Sequence, residues 1–447
     1  MLTTLKNVFK IKELRNKILF TLGMLVVIRF GSQLPVPGIR IEEFVNWFQQ
    51  KVGAADSSGF LSAITGGSFE NMSILALNIT PYITSSIIMQ LLTIAIPKLE
   101  EMQKDGEDGR KKIVAITRYV TVGLALIESA AMAFAFWNGG MLDSKNALNV
   151  ITIIATLTAG SAFLMWVGEQ ITEHGIGNGI SIVLVINIIS RIPQDISQLF
   201  KTFVLVEGKP IAVRVVAALV IIAVIVAVVV LVIILNGGTR KIPVQYAKRI
   251  VGNKQYGGAR QYIPLKVNAA GVMPIIFAQA IMFIPITFIG FSNTNNVSGF
   301  VHAFTDHTSF WYNFVFAVMI ILFTYFYTAI TINPTQMAED MKRNNGFIPG
   351  IKPGKKTAEY IDDIMSRITL PGSFFLAFIA IMPAFAGIFG VKAEFAQFFG
   401  GTSLLILVGV VLDTLQQVES HLLMRHYDGL LKSGRIKGRT GSSVAAY

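Results

Sequence analysis

Not one of the 447 residues is cysteine. That excludes disulfides, thiol nucleophiles and cysteine-ligated zinc. Charge is also scarce: Asp, Glu, Lys and Arg make up 14% of the chain, against about 25% in a soluble domain. The deficit excludes a disordered chain and argues against an ordinary soluble enzyme. The five histidines are His174, His302, His307, His421 and His426. None stands three or four residues from another, so no helical metal site and no metal cofactor is read. What the chain has in quantity is apolar residues, 53% of the total, with a mean hydropathy of +0.60. The net charge is +12, from 38 Lys and Arg against 26 Asp and Glu.

A bilayer span needs roughly 20 apolar residues. Val215 to Leu235 is such a run without a single charge. Others lie near 18–36, 79–96, 114–136, 150–170, 178–194, 270–291, 312–332, 370–390 and 401–420. The pattern predicts an all-α polytopic membrane protein of about ten transmembrane helices. The first run is long and no small-residue cleavage site follows it, so it reads as a span and not as a cleavable leader. The basic residues alternate in side: 28 fall on the side of both termini, eight on the other, and Arg29 and Arg118 within spans. By the positive-inside rule both termini are cytoplasmic, in a multi-pass cytoplasmic membrane protein.

A mixed connection, Arg191 to Val213, separates five spans from five. The expected organisation is a half at 1–195, an external connection at 196–213 and a half at 214–447. Five spans each makes any repeat inverted. Pro81 opens the second span and Pro274 the seventh, each in a first helical turn where the missing N–H costs nothing. Such a proline is ordinary on its own. Phe60 to Leu77 is apolar in part, interrupted by Gly66 and Gly67, and carries Glu70. It is too short and polar to span, so a re-entrant or interfacial segment is expected, with Met72 and Leu75 on a short helix. An amphipathic surface helix is the alternative.

Most motifs that look chemical are discounted. Gly175-Ile176-Gly177-Asn178-Gly179 follows no strand, so a dinucleotide site is not read. These glycines permit a tight turn between adjacent spans. Gly350 to Thr357 looks like a phosphate loop, but Lys355 stands where its second glycine belongs. Glu128 and Asp413 are the main carboxylates within spans. They read as snorkelling or helix-bonding groups rather than a transport relay. The connection Gly237 to Asn268 has seven basic residues and no acidic one, with Tyr246, Tyr256 and Tyr262 interleaved. Anionic lipid could account for part of that charge. The connection Asn333 to Thr369 mixes six basic with five acidic residues and reads as a docking surface for protein, or for RNA phosphates.

Several segments match one family closely and in order. They are Gly66-Gly67-Ser68 with Pro81-Tyr82-Ile83, Trp166 to Thr172 running into Gly175 to Ser181, and Tyr246-Ala247-Lys248-Arg249. Ile263 to Asn268 with Ala270-Gly271-Val272, Pro349 to Gly354, and Gly400 to Leu405 complete the set. Over nearly its whole length the chain resembles the SecY family of protein-translocation channel subunits. The resemblance implies two inverted five-helix halves around a central pore. It further implies that this pore passes unfolded secretory polypeptides across the membrane and releases hydrophobic helices sideways, without chemistry or cofactor of its own. It maps the pore ring onto Ile79, Ile83, Ile180, Leu184, Ile276 and Ile406, and a plug onto about 60–77, with Gly66, Gly67, Met72 and Leu75. It places a lateral gate at Pro81, Ile83, Pro274 and Ile276, and partner docking at Arg240, Lys241, Lys248, Arg249 and Lys352. Its implied partners are SecE and SecG in a heterotrimer, the SecA motor ATPase, and the ribosome through rRNA and proteins near the exit tunnel. Signal peptides, nascent chains and the lipid bilayer complete the set. One departure stands out: Lys352 occupies a position where the family usually has Arg, keeping the charge but losing the planar fork.

The residues agree with that implication. A channel for polypeptides must pass many side chains and still hold back ions, and branched aliphatics make a narrow apolar constriction that gates by dewetting. Taken singly, each ring residue is an ordinary aliphatic. A small-solute transporter would also use inverted repeats, but the spans are poor in carboxylates and two cytoplasmic connections are long. No catalytic constellation supports a membrane enzyme.

Overall fold

The computed structural model describes residues 11–47, 65–199, 201, 211–246, 249–251, 254–256, 260–290, 309–388 and 402–432. Its helices are α1 (Lys12–Gly31), α2 (Ile41–Trp47), α3 (Thr80–Ala95), α4 (Pro97–Lys104), α5 (Glu107–Gly139), α6 (Ala147–His174) and α7 (Gly179–Leu199). They continue as α8 (Ile211–Gly237), α9 (Met273–Gly290), α10 (Phe310–Thr331), α11 (Pro334–Arg343), α12 (Lys355–Ile388) and α13 (Thr402–Lys432). Among the described residues, ten of these fall on the ten apolar runs. Valine- and isoleucine-rich runs such as α8 are helical despite modest propensity, because lipid offers no partner for an unpaired backbone group. Their outward side chains, among them Val215, Leu219 and Val220, are exposed and face hydrocarbon.

Among the described residues, five helices are each long and apolar enough to cross a membrane by themselves, and the pair α3–α4 passes the same test together, bent by 105° at Ile96-Pro97. Pro97 cannot donate to the preceding turn, so the bend falls there. Gly140 ends α5 in the left-handed conformation, and Met141 N–H returns to the Phe136 carbonyl at 3.1 Å. Between α6 and α7 the chain reverses in four residues. Asn178 Oδ1 accepts from Ile180 N–H at 3.1 Å and caps α7, while Thr172 Oγ1 accepts from Gly179 N–H at 2.9 Å. The glycine-rich motif is thus a turn and a cap. Hydroxyls cross-link the first helices: Ser85 of α3 pairs with Thr121 of α5, and Ser129 of α5 with Thr158 of α6 at 3.0 Å.

Helix α1 departs from the expected 18–36. It ends at Gly31 because Leu34 and Val36 leave the helix and bond to another segment: Ile74 N–H to Leu34 O at 2.8 Å, and Val36 N–H to Met72 O at 3.0 Å. The two long connections also hold strands that helical periodicity did not reveal. They are β1 (Thr239–Tyr246), β2 (Arg249–Val251), β3 (Lys254–Tyr256), β4 (Arg260–Lys266) and β5 (Gly346–Phe347). The sheet order is β4-β1-β5, antiparallel throughout, with Ile242 opposite Ile263 and Tyr246 opposite Gly346; β2 and β3 form a separate hairpin. The protein is mostly helical, with this small sheet added between spans.

Among the described residues, three large apolar cores gather most of the spans. One is built from α8, α9, α10, α12 and α13, around Val232, Ile275, Ile320, Leu376 and Leu405. A second joins α2, α5 and α6 to the 72–77 segment, around Phe44, Phe136, Ile153 and Met72. The third draws on both sets of helices and lies between them.

Candidate functional site

The shared core contains all six aliphatic residues mapped to the ring. Ile79 precedes α3 and Ile83 lies on it; Ile180 and Leu184 lie on α7, Ile276 on α9 and Ile406 on α13. Ile79, Leu184 and Ile406 are buried, while Ile83, Ile180 and Ile276 pack against them half-buried. Segments spread from Ile79 to Ile406 thus present branched side chains to one place. Pro81 and Pro274 each fall second in their helices and both are buried. Both helices thus carry a proline in the first turn.

The segment 65–79 lies against the cluster but is not the expected short helix. Met72 and Leu75 sit on consecutive turns, Met72 at a positive φ of 43°. Nor is the segment a surface helix. Met72 is fully buried in the first-half core, and Leu75 is buried in the shared one. Backbone bonds to Leu34 and Val36 replace the helical bonds the segment lacks. Gly66 has φ +61° and Gly67 +82°. A side chain on Gly66 would stand 2.9 Å from the Asn187 carbonyl. Gly160 of α6 leaves room for the segment in turn: a Cβ there would lie 2.1 Å from the Ile74 carbonyl.

Beyond the cluster, where α13 continues past Val410 and α7 begins, is a cavity of about 400 Å³ lined by Asn178, Ser181, Asp413, Thr414, Gln416, Gln417 and Ser420. Its amides and hydroxyls could bond a peptide backbone without choosing side chains. Asp413 lies within the apolar stretch Ser403–Leu422, as expected, and lines this cavity. Its side chain is largely exposed, and it pairs with Lys266 at 3.8 Å. Glu128 is half-buried on α5.

Three of the docking positions, Arg240, Lys241 and Lys352, lie on one platform. Ile242, Val244 and Leu265 of the sheet pack with Met341 of α11, Ile348, and Ile361 and Met365 of α12, so two connections distant in sequence share a core. Alternation along β1 turns Lys241 away from buried Ile242 and Val244, and Arg240, near the start of the strand, is exposed as well. Lys352 is exposed between Gly350 (φ +86°) and Gly354 (φ +104°), and its carbonyl accepts from buried Thr357 Oγ1 at 3.0 Å. Arg249 lies on β2; Lys248 falls outside the described residues.

Two ion pairs went unnoticed in the sequence. Arg118 of α5 meets Glu169 of α6 at 2.6 Å, and Arg191 of α7 meets Glu70 at 2.8 Å. In the first connection the hydrogen bond to Glu43, then its charge, pushes the Arg40 pKa up. The cavity was likewise unread. No short motif marks it, because its lining comes from the start of α7 and the middle of α13, far apart in sequence.

Comparison with known proteins bears on this arrangement. A family model described as SecY matches residues 73–415. The chain is 44% identical to the protein translocase subunit SecY of Halalkalibacterium halodurans over 436 residues, covering 97% of this chain and 100% of that one. It is 43% identical to the subunit of the same name from Bacillus subtilis over 437 residues, with the same coverage. Among solved structures, one described as a protein conducting channel superposes with a TM-score of 0.61 at 17% identity, over 91% of this chain and 92% of that one. Sec61 in the canine ribosome-channel complex from the endoplasmic reticulum gives a TM-score of 0.56 at 16% identity, with the same coverage.

Proposed function

The chain belongs to the SecY family, and from that premise we propose how its residues conduct polypeptide. It is a membrane-embedded channel subunit for protein translocation and not an enzyme. One observation carries the reading: six branched aliphatics from α7, α9, α13 and the start of α3 converge in one cluster, with a polar cavity next to it. The cluster is the constriction. Its apolar lining solvates no ion, so water leaves it and the resting channel holds its seal. An entering chain displaces the aliphatics and meets the amides and hydroxyls of the cavity. Segment 60–77 is the plug, and Gly66 and Gly67 its hinge. Helices α3 and α9 form the lateral gate, with Pro81 and Pro274 at its two helix starts, through which hydrophobic helices reach lipid.

The chain forms two inverted halves, 1–195 and 214–447, joined by 196–213. The separate apolar cores of the two sets of helices support this division. Both termini lie in the cytoplasm and the membrane is the cytoplasmic one, supported by the 28-to-eight asymmetry of basic residues. The platform bearing Arg240, Lys241 and Lys352, together with Lys248 and Arg249, docks the SecA motor or the ribosome. SecE and SecG complete the complex.

The test is transport by the purified complex in sealed vesicles, supplied with a secretory precursor, the motor ATPase and ATP. Protease-protected precursor that depends on all three is the expected result. Uptake of a small solute without motor or precursor would replace this reading by that of a solute carrier.

A further inference from the structure

Ile180, Leu184, Asn187 and Arg191 stand at intervals of four, three and four on α7, which places them on one face of that helix. The first two belong to the aliphatic cluster. The next two are polar and reach the 66–78 segment. Arg191 has only 11% of its side chain exposed, and its Nη1 donates to Glu70 Oε1 at 2.8 Å. Buried Asn187 donates through Nδ2 to Asn78 Oδ1 at 3.2 Å. From α1, Arg29 Nη1 donates to the Gly66 carbonyl at 3.3 Å. The segment is thus held at its start, middle and end by side chains of two helices.

We propose that Arg191 and Arg29 are positioning residues that hold this segment by a releasable polar latch, with the Glu70–Arg191 contact setting how readily it leaves. The proposal rests on reading the segment as the plug. An apolar anchor such as Met72 loses its stabilisation when water enters, whereas the two charges of an ion pair recover hydration. The latch therefore holds the segment while the site is dry and gives way once a passing chain brings in water. In the closed state, reversing Glu70 leaves the nearly buried Arg191 facing a like charge, and reversing Arg191 sets two carboxylates together; either change favours release.

The experiment measures resting ion leak of the complex in vesicles, normalised to inserted chain, with thermal midpoints taken in parallel. The variants are Glu70→Arg, Arg191→Glu, their combination, Arg191→Lys, and deletion of Ser62 to Ser73. Each single reversal should raise leak about tenfold. The combined swap should restore it to within about twofold of the parent, as should Arg191→Lys. A purely structural role would lower the midpoint without such rescue. The swap decides the matter even where a single reversal fails to insert. A swapped complex that leaks as the deletion does overturns the latch. Silent single reversals beside a leaking deletion also overturn it and leave the plug standing. A deletion that does not leak removes the plug reading itself.

Discussion

Isoleucine at the constriction is a choice about water. Ile83 and Ile276 come from opposite halves and pack in one cluster. Replacing both by Asn supplies amides that keep water and ions in place, so resting conductance should rise in single-channel recordings. A silent double variant would assign the seal to the 60–77 segment alone. Gly160 makes a separate test of close approach. Alanine there places its Cβ 2.1 Å from the Ile74 carbonyl, a backbone atom that cannot swing aside. We expect Gly160→Ala to cost about 1–3 kcal/mol, as overpacking does, read as a lowered thermal midpoint. Gly123→Ala is the control: nothing lies within 4 Å of its added Cβ, and its midpoint should hold or rise. Equal midpoints for the two would mean that segment and helix do not touch as described.

The polarity of 60–77 alone predicts a segment removable at little cost to the fold. The described part, 65–77, differs, because Met72 is fully buried among Phe44, Phe136 and Ile153. Losing such a side chain typically costs about 2–5 kcal/mol. Deleting Ser62 to Ser73 should therefore lower the thermal midpoint as well as open a leak; an unchanged midpoint would show that Met72 is not core. Lys352 belongs to the turn between Gly350 and Gly354, which leaves it exposed at the platform's edge. Lys352→Glu should weaken motor or ribosome binding and slow export without altering insertion, while Lys352→Arg should bind as well or better through its planar fork. Affinity measured across salt checks this, and a Glu variant that binds normally at low salt would reduce Lys352 to a solvated charge. The spans were legible because lipid forces long apolar helices. The sheet was not, because the connections were read for charge. Alternation at Ile242 and Val244, answered by Ile263 and Leu265, was the available signal. The ion pairs were illegible for another reason. Glu70 and Arg191 are 121 residues apart, and no local pattern joins them.

At the scale of the molecule, the gate should be lockable. The chain has no cysteine, so a pair introduced on facing surfaces of α3 and α9 can oxidise only with each other when their Cα atoms lie within about 7 Å. Export should stop on oxidation and resume on reduction. Continued export by a fully locked complex would place the exit path elsewhere. The platform carries a different consequence. Every residue of its core follows residue 214 in sequence: Ile242, Val244 and Leu265 in the sheet, Met341 and Ile348, and Ile361 and Met365 on α12. The plate stands on α8, which leads into β1, on α9, which follows β4, and on α12, while Asn268 Nδ2 donates to Asn236 Oδ1 at 2.9 Å and braces the first two legs together. Three legs fix a plane, so the plate cannot rock on the helices beneath it. On the proposed reading of two halves, a partner seated there moves with α8, α9 and α12. Its ruler is the distance from Lys352 to spin labels on α13 and on α5: the first should stay constant through a transport cycle while the second swings.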